Sequence, residues 1–237
     1  MRLHRFITDC DLAHSPLAIT DTAILHQWQK VLRLKTGDTV ILCDGKNTES
    51  EATLESLDGK HAKLRLLRVH SVEAEPDRYI TLYCSVLKRE NFEWVVQKCT
   101  EIGAKHIIPI IAERTVKTGL KMERLRIIAK EAAEQSGRGM VPIISEPMNF
   151  SSALYESKNN ECNVIFHTSA ATNYQLPTTN SAGLWIGPEG GWSEGEVQQA
   201  QEHGFQMSSL GKLVLRAETA AITATFCLIK DELILPR

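Results

Sequence analysis

LWIGPEGGWSEGEV, residues 184–197, joins three kinds of local structure in one short stretch. Leu184–Ile186 is an apolar run typical of a buried strand, and a glycine-rich turn follows it at 187–191. Ser193 and Glu196 then form the S-x-x-E pattern of a helix capping box. The stretch therefore predicts a strand, a turn and a helix, and the turn holds the carboxylate of Glu189 but no lysine.

The same alternation of strand and helix extends over the chain from residue 79 onward. Asn91 is expected to cap a helix that ends at Gly103. Further helices are predicted at 121–137 and 218–233. Apolar runs predict strands at 79–87, 106–112, 162–167, 183–188 and 205–211. This order predicts an α/β domain with a mostly parallel sheet and helices on both faces.

The first 70 or so residues have a different pattern, because short strand-like runs are separated there by Asp-Gly turns at Asp44-Gly45 and Asp58-Gly59. In HAKLRL, residues 61–66, basic and apolar side chains alternate, which predicts a strand with one basic face. These features predict a small β-barrel-like domain. The polar segment 71–79 is expected to link it to the α/β domain.

The amino-acid composition and the cysteine spacing indicate which class of protein this is. The chain has 237 residues, 24% of them charged, and a net charge of −2, which is typical of a globular protein. Its six cysteines are scattered without a C-x-x-C pair, so we expect reduced thiols and a cytoplasmic protein, and no metal site. The longest uncharged stretch, 219–229, is too short to span a bilayer, and the first residues lack the apolar core of a signal peptide.

Ligands of parallel sheets bind beyond the carboxyl ends of the strands, which selects the loops 166–172, 187–193 and 210–219. Neither the Rossmann nor the P-loop glycine pattern is present. A glycine-rich loop that holds Glu189 suits a neutral or cationic ligand bound by main-chain groups, and S-adenosylmethionine is such a ligand. A simple tight turn is the alternative reading of the Gly-Pro-x-Gly-Gly pattern.

Five segments together resemble the RsmE-type 16S rRNA (uracil-N3)-methyltransferases of the SPOUT class. The segments are VLRLKTGD (31–38), QKCTEIGAKHIIPIIAERTV (97–116), EAAEQSGRGMVPII (131–144), IGPEGGWSEGE (186–196) and LGKLVLRAETAAITA (210–224). The resemblance implies a PUA-like RNA-binding domain at 1–72 and a SPOUT methyltransferase domain with a deep trefoil knot at 73–237. It also implies a homodimer that modifies N3 of a uridine in the 16S rRNA of the small ribosomal subunit.

The resemblance further implies that S-adenosyl-L-methionine binds at the three loops. The cofactor-binding residues that it assigns are Phe166, His167, Ile186, Gly187, Glu189, Gly190, Gly191, Leu210, Gly211, Leu215 and Arg216. His167 is expected to shape its loop by hydrogen bonding rather than to act as a general base.

Arg216 and Glu218 are the catalytic candidates. The Arg216 guanidinium would hold a phosphate or stabilise charge on a base oxygen, and the alternative is an ion pair with Glu218 or Glu189. Glu218 would accept a proton, although capping the last helix is the favoured role for it at this stage.

Basic residues are the candidate RNA contacts, and a solvated surface, a helix end or an internal ion pair is the alternative for each. The predicted contacts are Arg2, Arg5, Arg33, Lys63, Arg65, Arg114 and Arg138. The sequence thus predicts an rRNA methyltransferase. A non-catalytic RNA-binding ribosome-assembly factor with the same fold is the main rival, and a small-molecule enzyme would leave the basic strand unexplained.

Overall fold

The computed structural model describes residues 3–116, 119–170 and 179–234. The chain forms two compact units. The first comprises Met1–Glu75 with Ala133–Val141, and the second comprises Pro76–Ala132 with Pro142–Arg237. No sequence pattern predicts that residues 133–141 pack in the first unit, because this packing depends on contacts between residues that are distant in the chain.

The first unit contains strands β1 to β5 in one sheet, in the order β1-β3-β4-β5-β2. The strands are β1 (Arg5–Ile7), β2 (Leu17–Ile19), β3 (Thr39–Cys43), β4 (Thr48–Leu57) and β5 (Ala62–Ser71). Both Asp-Gly turns close hairpins as predicted, since β3 pairs antiparallel with β4 and β4 pairs antiparallel with β5. In β5, Ala62 and Leu64 are buried while Lys63 and Arg65 are exposed, which confirms the predicted alternation.

A helical segment supplies the centre of the first unit's core. Helix α1 (Thr22–His26) continues into a π-helical turn, Gln27–Leu32. This turn places Trp28 in the core with no exposed surface, and its ring meets Phe6 edge to face at 5.2 Å between centroids. The aromatic pair therefore lies in the hydrophobic core of the first unit, together with buried residues of the sheet.

The return segment 133–141 is fixed in the first unit by a buried ion pair. Arg138 and Glu75 are each only 4% exposed as side chains, and Arg138 Nε donates to Glu75 Oε2 over 3.2 Å. Asn47 N donates to Gly139 O, and a side chain at Gly139 would collide with Asn47 and Val72. Residue 139 must therefore be glycine for the segment to lie this close to the sheet.

The second unit is built on a parallel sheet with the order β12-β10-β11-β6-β7-β8, and β9 also pairs with β7. Its elements in chain order are β6 (Tyr79–Ser85), α2 (Arg89–Ile102), β7 (His106–Ile111), α3 (Met122–Ser136), β8 (Ile143–Ile144), β9 (Met148–Asn149), α4 (Phe150–Glu156), a 3-10 turn (Ser157–Asn159), β10 (Cys162–Phe166), β11 (Ser181–Ile186), α5 (Glu194–Glu202), β12 (Gln206–Ser208) and α6 (Ala217–Ile234). The last turn of α3 belongs to the first unit. Every strand pair in this sheet is parallel, as predicted.

Helix ends in the second unit test the predicted caps. The capping box of Ser193 and Glu196 starts α5, and Gly103 ends α2 with a positive φ of 125°. Asn91 does not cap α2, because the helix already begins at Arg89 with Lys88 as its N-cap residue. β8, β9 and α4 were not predicted, since they are short and lack a clear period. No helix in the described ranges is long and apolar enough to cross a membrane.

Glu75→Ala should destabilise the protein by about 3–5 kcal/mol, because it removes the buried carboxylate that pairs with the Arg138 guanidinium. Glu55→Ala is the matched control: it removes a carboxylate from an exposed pair with Lys63 and should cost less than about 1 kcal/mol. Urea unfolding monitored by tryptophan fluorescence measures both. Equal losses of unfolding free energy would contradict the structural role of the buried pair.

Candidate functional site

The carboxyl ends of β12, β10, β11 and β6 lie side by side at one edge of the parallel sheet. The segments that follow these strands enclose a cavity of about 910 Å³. Phe166 and His167 enter it from β10, and 186–192 enter it from β11. The segment 209–218 covers it from β12 and the start of α6.

All twelve residues predicted for the cofactor site or for catalysis line this one cavity. They are Phe166, His167, Ile186, Gly187, Glu189, Gly190, Gly191, Leu210, Gly211, Leu215, Arg216 and Glu218. One wall of the cavity was not predicted from the sequence. It follows β6 and consists of Val86, Leu87, Lys88 and Asn91. The rule on strand ends applies equally to β6 and would have predicted this wall. Asn91 was instead interpreted only as a helix cap.

The glycine-rich loop is held by its own turn and by one arginine. Gly191 has a φ of +70° and its N–H donates to Pro188 O over 2.8 Å. The Arg114 Nη1 atom donates to Gly190 O at 3.0 Å and to Trp192 O at 3.3 Å. A Cβ at Gly187 would lie 3.2 Å from the Trp192 ring, so a glycine allows the loop to pack on this indole. The loop is therefore a tight turn that Arg114 and Trp192 hold in place.

His167 shapes the loop after β10, as predicted. Its main-chain N–H donates to Ser208 O, which ties the loop to β12. Its Nδ1 accepts the main-chain N–H of Ser169 at 3.2 Å and lies 2.7 Å from Ser169 Oγ. These contacts occupy Nδ1 and argue for a structural role of the ring.

The segment after β12 reverses direction at Gly211, where φ is +123°. Leu213 and Val214 then lie at the mouth of the cavity with their side chains about 80% exposed. Arg216 O accepts the N–H of Ala220 over 2.8 Å, so the main chain of Arg216 starts α6 while its side chain lines the cavity.

Glu218 is the buried charge of the site. It is 4% exposed and lines the cavity, and no hydrogen bond or ion pair to its carboxylate is found in the described part of the chain. Glu218 lies in the first turn of α6, and its side chain accepts no helix N–H among the described residues, so no observed contact supports the favoured capping role. The ion pairs considered for Arg216 are also not formed among the described residues.

Cys84 lies close to this acid but is not a nucleophile. Burial raises the pKa of its thiol well above the ordinary value, and the nearby Cys99, Glu189 and Glu218 act in the same direction. The thiol therefore stays protonated at neutral pH. No group of three His, Cys, Asp or Glu side chains that could hold a metal ion occurs within the described ranges.

Comparison with known proteins places this architecture in a family. A sequence profile described as an RNA methyltransferase domain matches residues 74–229, and one described as an RNA methyltransferase PUA domain matches 29–67. The chain belongs to the RNA methyltransferase family. It is a mixed α/β protein with a SPOUT-type parallel sheet and a small PUA-like sheet.

Named members of this RNA methyltransferase family are similar over most of their length. The ribosomal RNA small subunit methyltransferase E of Synechocystis is 35% identical over 86% of this chain and 69% of its own. The Bacillus subtilis protein of the same name is 31% identical over 84% of each chain. A crystal structure of the Neisseria gonorrhoeae protein bound to S-adenosyl methionine has a TM-score of 0.88 and 30% identity, covering 96% of this chain and 97% of that one.

The structure places some of the predicted RNA contacts on the surface and others in internal contacts. Arg138 pairs with Glu75 in the interior, so we remove it from the RNA surface. Arg5 also has an internal partner, Glu49, and is mostly buried. Arg114 supports the glycine loop although its side chain is exposed. Arg2 lies outside the described residues.

The remaining predicted contacts lie on the surface of the first unit. Lys63 and Arg65 are exposed and share Glu55, at 3.7 and 3.8 Å, so part of their charge is neutralised. Arg33 is exposed and has no ion pair within the part of the chain that the structure describes.

Arg114→Ala should loosen the glycine loop without unfolding the protein. We expect amide hydrogen exchange at 187–192 to quicken roughly tenfold, since two hydrogen bonds to the loop are lost. The unfolding free energy should change by less than about 1 kcal/mol because the side chain is exposed. Arg126→Ala, which removes a surface ion pair with Glu146, is the control. Unchanged exchange at the loop in Arg114→Ala would contradict this role.

Proposed function

We propose that this chain transfers the methyl group of S-adenosylmethionine to N3 of a uridine in the 16S rRNA of the small ribosomal subunit. The observation that carries the proposal is the single cavity that three strand-end loops enclose, with all of the predicted cofactor residues on its wall. The names of the relatives and the cofactor bound in the Neisseria gonorrhoeae structure support it.

The residues of the cavity fit this cofactor. S-Adenosylmethionine carries a cationic sulfonium and an ammonium group but no phosphate, and it supplies an electrophilic methyl group. Gly191 and Gly211 leave the main chain open to a ligand, since no atom lies within 4 Å of the position that a Cβ would take at either residue. The unpaired carboxylate of Glu218 and the exposed Glu189 give the wall negative charge that suits a cation.

Methylation of uridine N3 forms an N–CH₃ bond as the S–CH₃ bond breaks, and the N3 proton must leave. We assign Glu218 as the acceptor of this proton, because it lines the cavity and its carboxylate has no donor among the described residues. We assign Arg216, which also lines the cavity, to stabilise the negative charge that spreads onto the base oxygens. Cys84 remains a thiol and takes no part in the transfer.

Transfer of labelled methyl groups into small subunits that lack the modification tests the function. Wild-type protein should label 16S rRNA, and nucleoside mass spectrometry should find 3-methyluridine. Glu218→Gln should lower the single-turnover rate by about 10²–10⁴-fold, the usual contribution of a general base.

Glu194→Gln is the matched control, since Glu194 is exposed on α5 and does not line the cavity. It should retain the wild-type rate. No label in rRNA with wild-type protein at stoichiometric amounts would reject the function and favour a non-catalytic assembly factor, which no structural observation supports at present.

The SPOUT domain is further proposed to form a homodimer with the cofactor site near the interface. Helix α6 packs on α2, and its middle part, 219–229, carries no charged residue. On the outer side of this helix pair, Phe226 and Trp94 are 41% and 49% exposed. A second copy of the chain would cover them.

Phe226→Glu should convert the dimer into a monomer, because it places a charge in the apolar contact. Light scattering coupled to size exclusion measures the mass. Tyr155→Glu, at an exposed aromatic residue on α4, should leave the dimer intact. A wild-type monomer, or a Phe226→Glu dimer of unchanged affinity, would contradict the proposed interface.

We make three further assignments. The trefoil knot is supported by the path of the chain, since β12 joins the sheet edge beside β10 and α6 then returns to β11 and β6. The domain limits are proposed at 1–72 and 73–237, which a methyltransferase match that starts at residue 74 supports, although 133–141 packs in the first unit. A cytoplasmic location is supported by six free cysteines.

A further inference from the structure

The unpredicted wall of the cavity is formed by the start of α2. Lys88, the N-cap residue, makes no side-chain hydrogen bond to the helix, so the first-turn N–H groups are without a side-chain cap. Asn91 is half-buried in this turn and lines the cavity, and its carboxamide has no hydrogen-bond partner in the described ranges. This wall therefore presents several hydrogen-bond donors and a partial positive charge.

The buried carboxylate of Glu218 lines the same cavity. It is an acceptor that lacks a donor, and at 4% exposure it is held away from bulk water. One site thus holds unpaired donors at the start of α2 and an unpaired acceptor at the start of α6.

The Watson–Crick edge of uracil is complementary to these hydrogen-bond donors and this acceptor. It presents the O4 acceptor, the N3–H donor and the O2 acceptor in that order. Cytosine differs at two positions: an amino group replaces O4, and N3 carries no proton. A site that places a donor at O4 and an acceptor at N3–H therefore selects uracil.

We infer that the start of α2 reads the uracil edge, with Asn91 Nδ2 donating to O4 and the Lys88 side chain with the first-turn N–H groups facing O2, while Glu218 accepts N3–H. The inference rests on the proposed function and names its specificity-determining residue. The donors also face the oxygens on which negative charge develops as the N3 proton leaves, so they stabilise the transition state as well as select the base.

This edge is engaged in the base pair of a duplex. The target uridine must therefore be unpaired or extruded from its helix when it enters the cavity. Leu213 and Val214, exposed at the mouth, offer apolar contact to such a base.

Asn91→Asp tests the inference, because it replaces the donor to O4 with a second acceptor that suits the amino group of cytosine. The substrates are small subunits assembled with uridine or with cytidine at the modified position. Methylation of uridine should fall roughly ten- to a hundredfold, and the ratio of cytidine to uridine methylation should rise by a similar factor. Affinity for S-adenosylhomocysteine, measured by calorimetry, should stay at the wild-type value.

Asn159→Asp, the same substitution at an exposed position outside the cavity, is the control and should keep the wild-type ratio. An unchanged ratio in an Asn91→Asp protein that binds S-adenosylhomocysteine normally would overturn the assignment of Asn91. Wild-type protein that methylates neither subunit would instead reject the proposed function, so the two failures are distinguishable.

Discussion

The parallel pairing of β12, β10, β11 and β6 is the constraint on which the site depends. Because these strands run in one direction, their carboxyl ends meet at one edge, and the segments that follow them enclose a common space. Residues that are far apart in the chain, such as Lys88, Glu189 and Glu218, thereby reach one cavity. Moving a single strand out of this order would remove one wall of the site.

The chemistry of the cavity depends on which main-chain groups and side chains in its wall lack a hydrogen-bond partner. Glycines in the loops after β11 and β12 expose main-chain donors and acceptors, and Arg114 holds the first of these loops from outside. Glu218 is buried without a described partner, while the thiol of Cys84 beside it is kept protonated by burial. The cavity thus combines glycine-rich main-chain segments with one buried carboxylate that has no described partner, and the proposed function uses both.

Local signals in the sequence were sufficient for much of this architecture. The capping box at Ser193 and Glu196 and the two Asp-Gly turns depend on neighbouring residues, and the structure forms all of them. The rule on strand ends alone predicts the three loops at 166–172, 187–193 and 210–219. The resemblance to a known family then added the PUA-like and SPOUT assignments, which periodicity does not contain.

The errors concern contacts between distant residues. Arg138 has the sequence context of a surface cation, but in the structure it is buried against Glu75. The two residues are far apart in the sequence, so no local pattern indicates that they pair. The start of α2 was also predicted too late, at Asn91 rather than at Lys88, and the α2 wall of the cavity was therefore not predicted. The contact of Arg114 with Gly190 likewise depends on the folded sheet.

If main-chain groups of the strand-end loops bind the cofactor, titration with S-adenosylhomocysteine should shift the amide resonances of these loops. We expect the largest chemical-shift changes at 187–191 and 210–215, with smaller ones at the start of α2. Saturable binding that leaves the amides of both loops unshifted would contradict main-chain binding of the cofactor.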